Sequence, residues 1–528
     1  MSCVSLAVRL TSMLISVRFN NTLGAQGVGI YQLVMSIYVL ANGLSSSGIC
    51  VAVSRLTAQE CAAGDEKSVR GVLRVCVLAA GVLSFLSCAV LFFLSGIIGS
   101  YWLHDERSIG CLRVIAFAIP FMSISNCVRG WYTAKENAVV PVCSQLSEQS
   151  ARLSVCFFLL PAMAEKGLTF ACIGAVLSDV AGEFSGCLFI VLTYLFGNAK
   201  KKSAMPEKAI SRLFDTATPI TASFYLTNIL RSAETAIVPS CLIRYGMSRQ
   251  EALSQLGILQ GMALTMLFIP ASLLIAISTL MLPKVAYFNS LPDSRAVKKC
   301  VERSLYISFL FSAPSAAVFC TFSKELSILL YGQPDLIKMV SVLSPMIPMM
   351  YSEMICSGLL KGLGEQKHLL YYALADAAVR LILIALLVPE YGMNGMLAVM
   401  LVSNILTPVL CAMRLKKLTG AQIIVVKPIL CSLAAAPVLL GFKSLPLSDL
   451  ICVTAGIVSY LFVFLCFLIP GYIQMLPRAV LRVCLRTCSG SRYTFCRQEK
   501  KDNLSARPSP HSHSHRRNKY TGSSRPQV

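Results

Sequence analysis

The chain has 528 residues, 55% of them hydrophobic and 14% charged, and its mean hydropathy is +0.68. Apolar runs of about 20 residues recur along nearly the whole length, each long enough to cross a bilayer as a helix, which excludes a soluble globular protein and is too long for barrel strands. The formal net charge of +22 would suggest nucleic acid in a soluble chain. Here the basic residues lie mostly in loops and the tail, no nucleic-acid module is visible, and the charge reports topology and anionic lipid.

In chain order, fourteen spans are expected near 2–19, 28–52, 71–97, 109–133, 138–162, 168–195, 210–242, 252–283, 302–323, 336–360, 367–388, 393–413, 424–442 and 448–475. The first begins almost at Met1, with neither a basic n-region nor a small-residue cleavage site, so no cleavable signal peptide is expected. Alternate loops are basic. One set carries Arg55, Lys67, Arg70 and Arg74, then Arg129 and Lys135, then the lysines at 200–202 with Lys208 and Arg212. It continues with Lys284, Arg295, Lys298, Lys299 and Arg303, then Lys361 and Lys367, then Arg414, Lys416, Lys417 and Lys427. The positive-inside rule makes this set cytoplasmic, and an even number of spans then leaves both termini on that side of the cell membrane. Residues 476–528 read as a basic, disordered tail that contacts anionic headgroups. Its "HSHSH" reads as part of a biased polar segment rather than a metal site.

The 22 cysteines are scattered, many inside spans, with no spacing that suits a metal or a disulfide framework. No Walker A, H-E-x-x-H or G-x-G-x-x-G sequence stands in a suitable context. A non-enzyme without cofactor or metal is expected.

"SQLSEQSARLSV" at 144–155 places Glu148 and Arg152 four residues apart inside the fifth span, and "ADAAVRLIL" at 375–383 does the same with Asp376 and Arg380. From 148 to 376, and from 152 to 380, is 228 residues. Pro161 and Pro389, Gly167 and Gly395, Pro120 and Pro348, Gly130 and Gly358 keep the same offset, as do "GIYQ" at 29–32 and "GILQ" at 257–260. An ungapped offset that spans six helices implies two duplicated halves of equal topology, related by an axis along the membrane normal, as suits transporters that rock two bundles about a central site. The expected architecture is all-α and polytopic: an N-lobe over 1–195, a cytoplasmic linker over 196–209, a C-lobe over 210–417, two extra spans within 418–475, and the tail.

At i and i+4, with the acid first, each pair shares one helix face in the favourable order. Presence in both halves favours an internal salt bridge over a substrate site that evolved once; a cavity-lining ion or proton site is the rival reading.

"LGAQGVGIYQLVMSIYVLANGLSSSGICVAVSRLTAQ" (23–59), "LHDERS" (103–108), "IPFMSISNCVRGWYTAKENAVVPVCSQLSEQSARL" (119–153) and "NILRSAETAIVPSCL" (228–242) resemble the stage V sporulation protein B group. That group belongs to the polysaccharide exporters of the multidrug/oligosaccharidyl-lipid/polysaccharide (MOP) flippase superfamily. The resemblance covers about 1–475. It implies two six-helix lobes in a V around a central cavity, followed by two extra helices. It also implies flipping of an undecaprenyl-pyrophosphate-linked sugar or peptidoglycan precursor. Compared with the lipid II flippases of that superfamily, Arg9 before Gly24-Ala25 and "IPASLLIAISTLMLP" (269–283) match. Thr265 and Asn42-Gly43 stand where those flippases carry cavity cations.

A pyrophosphate needs guanidinium or ammonium partners in a water-filled cavity. Arg9 and Arg231, in equivalent helices of the two lobes, are the candidate headgroup cations; for Arg231 a local pair with Glu234 is the rival reading. Asp179, Glu183, Asp215, Glu234 and Glu353 are intramembrane acids and candidate ion or proton sites. Three functions follow as expectations: a lipid-linked oligosaccharide flippase, a drug or organic-cation antiporter of the same superfamily, and a non-transporting scaffold that recruits cell-wall enzymes.

Overall fold

In the computed structural model, the described residues are 2–468 without 63–65, 136, 138, 199–208, 272–273, 276–277, 279–280, 282–284, 286–293, 423–425 and 445–447. They contain helix and no strand. The tail over 476–528, and with it "HSHSH", lies outside them, as do most of 272–293 and the side chain of Arg9.

The helices are α1 (Ser2–Ala62), α2 (Glu66–Ile97), α3 (Arg107–Ala116), α4 (Ala118–Ala134), α5 (Val139–Ala164) and α6 (Leu168–Asn198). There follow α7 (Ala209–Arg244), α8 (Arg249–Leu256), α9 (Leu264–Phe268), α10 (Ser294–Thr321), α11 (Ser323–Tyr331) and α12 (Asp335–Leu343). The last are α13 (Ile347–Gly362), α14 (Gln366–Tyr391), α15 (Met393–Thr419), α16 (Val426–Lys443) and α17 (Asp449–Leu468). Among the described residues nine stretches are long and apolar enough to cross a membrane. The chain is an all-α polytopic membrane protein of about fourteen spans, two parallel six-helix repeats with two helices added.

The first two expected spans are the two arms of α1. They part at Gly24, whose φ of 66° and ψ of 172° break the helix. A side chain is strained there, and glycine is not. Helix α11 is a short helix outside the expected spans, closed by the left-handed Gly332. At the turns before α6 and α15 the two halves slip out of register. Gly167, with φ 116°, precedes α6, and its counterpart before α15 is Gly392, with φ 58°, rather than Gly395. Gly395 lies inside α15, where an added Cβ would meet Leu387 O at 2.4 Å.

The lobes meet along the second arm of α1. Near one end, a Cβ at Gly257 would fall 2.1 Å from Ala25 O, and one at Gly29 would fall 2.0 Å from Leu253 O, so the backbones touch with no side chain between them. Asn20 adds a hydrogen bond to Gly261 O at 2.8 Å. Further along, Gly48 packs on Ala217 and Thr221 of α7, and Gly43 on Phe224. The added helices α16 and α17 cover α10 through a core of Val318, Phe322, Leu439, Tyr460 and Phe464. Within it, Ser432 donates to Ala313 O at 3.0 Å and shares a 2.7 Å hydrogen bond with Tyr460.

Candidate functional site: two charged clusters and a polar path

In the first lobe the charged pair is part of a larger knot. Arg152 Nη2 reaches Glu148 Oε1 at 3.3 Å within α5. From α6, Asp179 comes to 3.2 Å of Arg152 Nε, and Glu183 to 3.7 Å of Nη2. The two like charges of α6 are thus both held by one guanidinium. Glu148 takes a second cation, Arg129 of α4, at 2.9 Å. Sequence reading places Arg129 in a basic loop. The structure corrects this: Arg129 sits within α4, its side chain only 16% exposed, and also donates to Ser144, which donates in turn to Gly186 O. An acid from another span was the missing signal, and linear spacing does not carry it. Gly182 and Gly186 let α6 lie close to these groups; a Cβ at Gly182 would stand 3.2 Å from Arg152 Nε.

Both arms of α1 are bonded to this knot or to its neighbour. Tyr31 donates to Asp179 Oδ2 at 2.9 Å, and Ser12 donates to Gln149 Oε1 at 3.1 Å. Arg152, Asp179 and Tyr31 line a cavity of about 150 Å³, with Asn20, Gly261 and Thr265 on the facing wall. Thr265, which replaces a cation of the lipid II flippases, therefore faces a cavity whose cation comes from α5.

In the second lobe the repeat does not close the same way. Arg380 pairs with Glu234 of α7 instead of Asp376, and Asp376 accepts from Ser403 Oγ at 2.6 Å. The pair expected from spacing, Asp376 with Arg380, is corrected by this contact, which also takes up the Glu234 of the rival Arg231 pairing. The reason lies on α15, which carries no carboxylate: its Ser403 bonds to Asp376 and its Thr407 lines the cavity, whereas α6 brings Asp179 and Glu183 onto Arg152. With no carboxylate there, Arg380 turns to α7.

Arg231 is exposed and, among the described residues, in no ion pair. It lines a cavity of about 490 Å³ with Glu234, Glu353, Lys361, Asp376, Arg380 and Thr407. Thr407 Oγ1 and Arg380 Nε have no hydrogen-bond partner among the described residues. Lys361, read from sequence as a loop cation, lines this cavity as well. Ser223 and Leu370 line both this cavity and a second of about 690 Å³, walled by Arg55, Gln59, Arg212, Asp215 and Lys367. The two cavities are thus neighbours, the second of them at the cation-rich helix ends. Asp215 belongs to this second cavity and accepts from Ser211 at 3.3 Å. Two apolar grooves flank the lobes, one of about 550 Å³ among Ile37, Val90, Trp102 and Ile229, the other of about 580 Å³ among Phe311, Phe319, Leu461 and Phe464. Among the described residues no group of three or more His, Cys, Asp or Glu is placed to hold a metal.

Two lobes about charged cavities in an apolar helical body define a transporter fold. The profile of the polysaccharide biosynthesis protein family matches residues 1–288, and the chain belongs to that family. It is 25% identical over 410 residues to stage V sporulation protein B of Bacillus subtilis (strain 168), covering 76% of this chain and 79% of that one. It is 20% identical over 407 residues to the lipid II flippase MurJ of the same organism, covering 71% and 74%. Among solved structures, MurJ in an inward closed conformation superposes with a TM-score of 0.70 at 13% identity over 88% of this chain and 97% of that one. An inward-facing MATE transporter of the MOP superfamily superposes with a TM-score of 0.58 at 15% identity over 80% and 99%. The fold is that of the MOP superfamily.

Proposed function

We propose that the protein flips a lipid-linked glycan, carried on an undecaprenyl-pyrophosphate-type anchor, across the cell membrane by alternating access of its two lobes. The observation that carries this reading is a pair of neighbouring polar cavities, with Arg231 exposed on the wall of the deeper, 490 Å³ one. A diphosphate needs cations whose donors are free to turn to it, and Arg231 makes no close ion pair among the described residues, whereas Arg380 is engaged by Glu234. Arg9, whose side chain lies outside the described residues, is the second proposed headgroup cation, from the first helix of the other lobe. Lipid II is what the name of one relative says that protein flips; the family membership and that likeness support a related substrate here.

In this scheme the vestibule of Arg55, Arg212 and Lys367 is cytoplasmic, both termini share that side, and the basic tail lies on anionic lipid. The lobes, 1–195 and 210–417, rock about the glycine seams. The first-lobe knot of Glu148, Arg152, Asp179 and Glu183 is a clamp that holds α5, α6 and α1 as one body. A coupling cation or proton uses Glu353 and Asp376, which face the deep cavity without an ion pair among the described residues. No bond is made or broken, so the protein works as a carrier, not an enzyme.

The test is flipping in proteoliposomes with defined undecaprenyl-pyrophosphate glycans. Arg231→Ala should abolish it while the protein still inserts, and normal flipping by that variant would sink the assignment. The carboxylates of the deep cavity favour a second reading, export of an organic cation. Cation-driven transport that survives Arg231→Ala but not Glu353→Gln would select it. Deleting 478–528 separates either carrier from a tail-driven scaffold, since only the scaffold would lose its role.

A further inference from the structure

Arg212 of α7 has two roles. It donates from Nη1 to Glu60 Oε1 at 2.7 Å and from Nη2 to Gln59 Oε1 at 3.0 Å, and both acceptors stand near the end of α1. These bonds latch the first helix of the second lobe to the first lobe. The same guanidinium lines the 690 Å³ vestibule together with Arg55 of α1 and Lys367 of α14. Three cations from three helices thus face one space, against a single lining carboxylate, Asp215, which already accepts from Ser211.

We propose that this vestibule is a recognition site for a diphosphate group, in which Arg212 exchanges Glu60 for the incoming anion and so releases α7 from α1. The proposal rests on the transport reading above and names how the headgroup is first held. A guanidinium offers a planar fork of donors that phosphate oxygens fill as well as a carboxylate does. The diphosphate carries more charge than Glu60 and meets Arg55 and Lys367 at the same time, which Glu60 does not. The latch is open to solvent on its cationic side, where Arg212 is 38% exposed, and such a pair is worth little in water. An arriving anion therefore competes on favourable terms. Ligand binding and latch opening are then linked, and linkage is reciprocal: weakening the latch must tighten the ligand.

That reciprocity is the test. Full-length protein in detergent is titrated with radiolabelled inorganic pyrophosphate and with farnesyl diphosphate, with farnesol as the tail-only control. Glu60→Gln should bind either diphosphate roughly tenfold more tightly than the unmodified protein, and Lys367→Gln roughly tenfold more weakly, one charge-assisted contact each. Hydrogen exchange at 52–60 and 209–216 should rise on adding diphosphate, and should already be raised in Glu60→Gln without it. Tighter binding of farnesyl diphosphate than of pyrophosphate assigns a lipid-linked ligand, and equal affinities a free one; both support a diphosphate site. Glu60→Gln binding no tighter, or Lys367→Gln binding unchanged, overturns the proposal. Because the readout is binding and exchange, that failure leaves the flipping assay of Arg231→Ala standing as the separate test of transport.

Discussion

In the first lobe, Arg129 and Arg152 close on Glu148, Asp179 and Glu183 around a cavity of about 150 Å³. In the second, Arg380 takes Glu234, while Arg231, Lys361, Glu353 and Asp376 stand around a cavity of about 490 Å³ that shares Ser223 and Leu370 with the vestibule. The two regions start from the same repeated pair at the same helical spacing. They diverge because the helix packed opposite differs: α6 brings two carboxylates and two glycines, α15 brings Ser403 and Thr407. Charge met by charge at close range makes a clamp. Charge met by hydroxyls leaves room around the cations, and room is what a ligand needs. Duplication supplied both lobes with the pair, and the neighbouring helix decided its use.

The sharpest way to break this contrast is Arg152→Ala. It strands three carboxylates with Arg129 alone. Removing one partner of a buried pair costs about 3–5 kcal/mol, so the thermal transition in detergent should fall steeply or the protein should fail to accumulate. The double change Asp179→Asn with Arg152→Gln should be milder than Arg152→Gln alone, because Arg129 still holds Glu148 and only Glu183 is then left bare. If the double variant is worse, the clamp is misread. Arg380→Gln should cost less than Arg152→Gln, since it strands Glu234 only.

Wedging the seams should come next. Gly257→Val places a Cβ on the Ala25 carbonyl, an overpacking clash that costs about 1–3 kcal/mol. It should lower the thermal midpoint and stop flipping. A seam with slack would tolerate it.

Arg231→Ala should leave the thermal midpoint within about 1 kcal/mol of the unmodified protein, because an exposed cavity cation holds nothing together. Its loss should be read only in flipping. Stability loss as large as that of Arg152→Ala would make it a second clamp.

The smallest expected effect lies outside the membrane. In the turn before α14, Glu365 accepts from Arg414 at 2.9 Å, and this hydrogen bond holds its carboxyl below the usual 4.5. A lowered folded value stabilises the ionised form, so the contribution is present above the ordinary glutamate range and is lost as pH falls through the folded value. The midpoint difference between the unmodified protein and Glu365→Gln should therefore be small near neutrality and should vanish in acid.

Much of this was legible in the chain. Helices long enough to span and the duplication follow from hydropathy and offset, both of which act along the sequence. The clamp was legible in part: Glu148 and Arg152 sit on one helix, and spacing alone brings them together. The contributions of Arg129, Lys361 and Tyr31 were not legible. Each acts through a helix remote in sequence, and a cation near a span end looks the same whether it faces water or a buried acid. The missing contact between Asp376 and Arg380 was hidden for the same reason.

By itself, then, the sequence determined a duplicated all-helical membrane protein with one charged pair per half, because the bilayer constrains each segment independently through length and polarity. The tertiary structure decided which charges neutralise one another and which face a cavity. An ion pair forms or fails over a few ångströms, and those distances are set by how helices far apart in the chain pack.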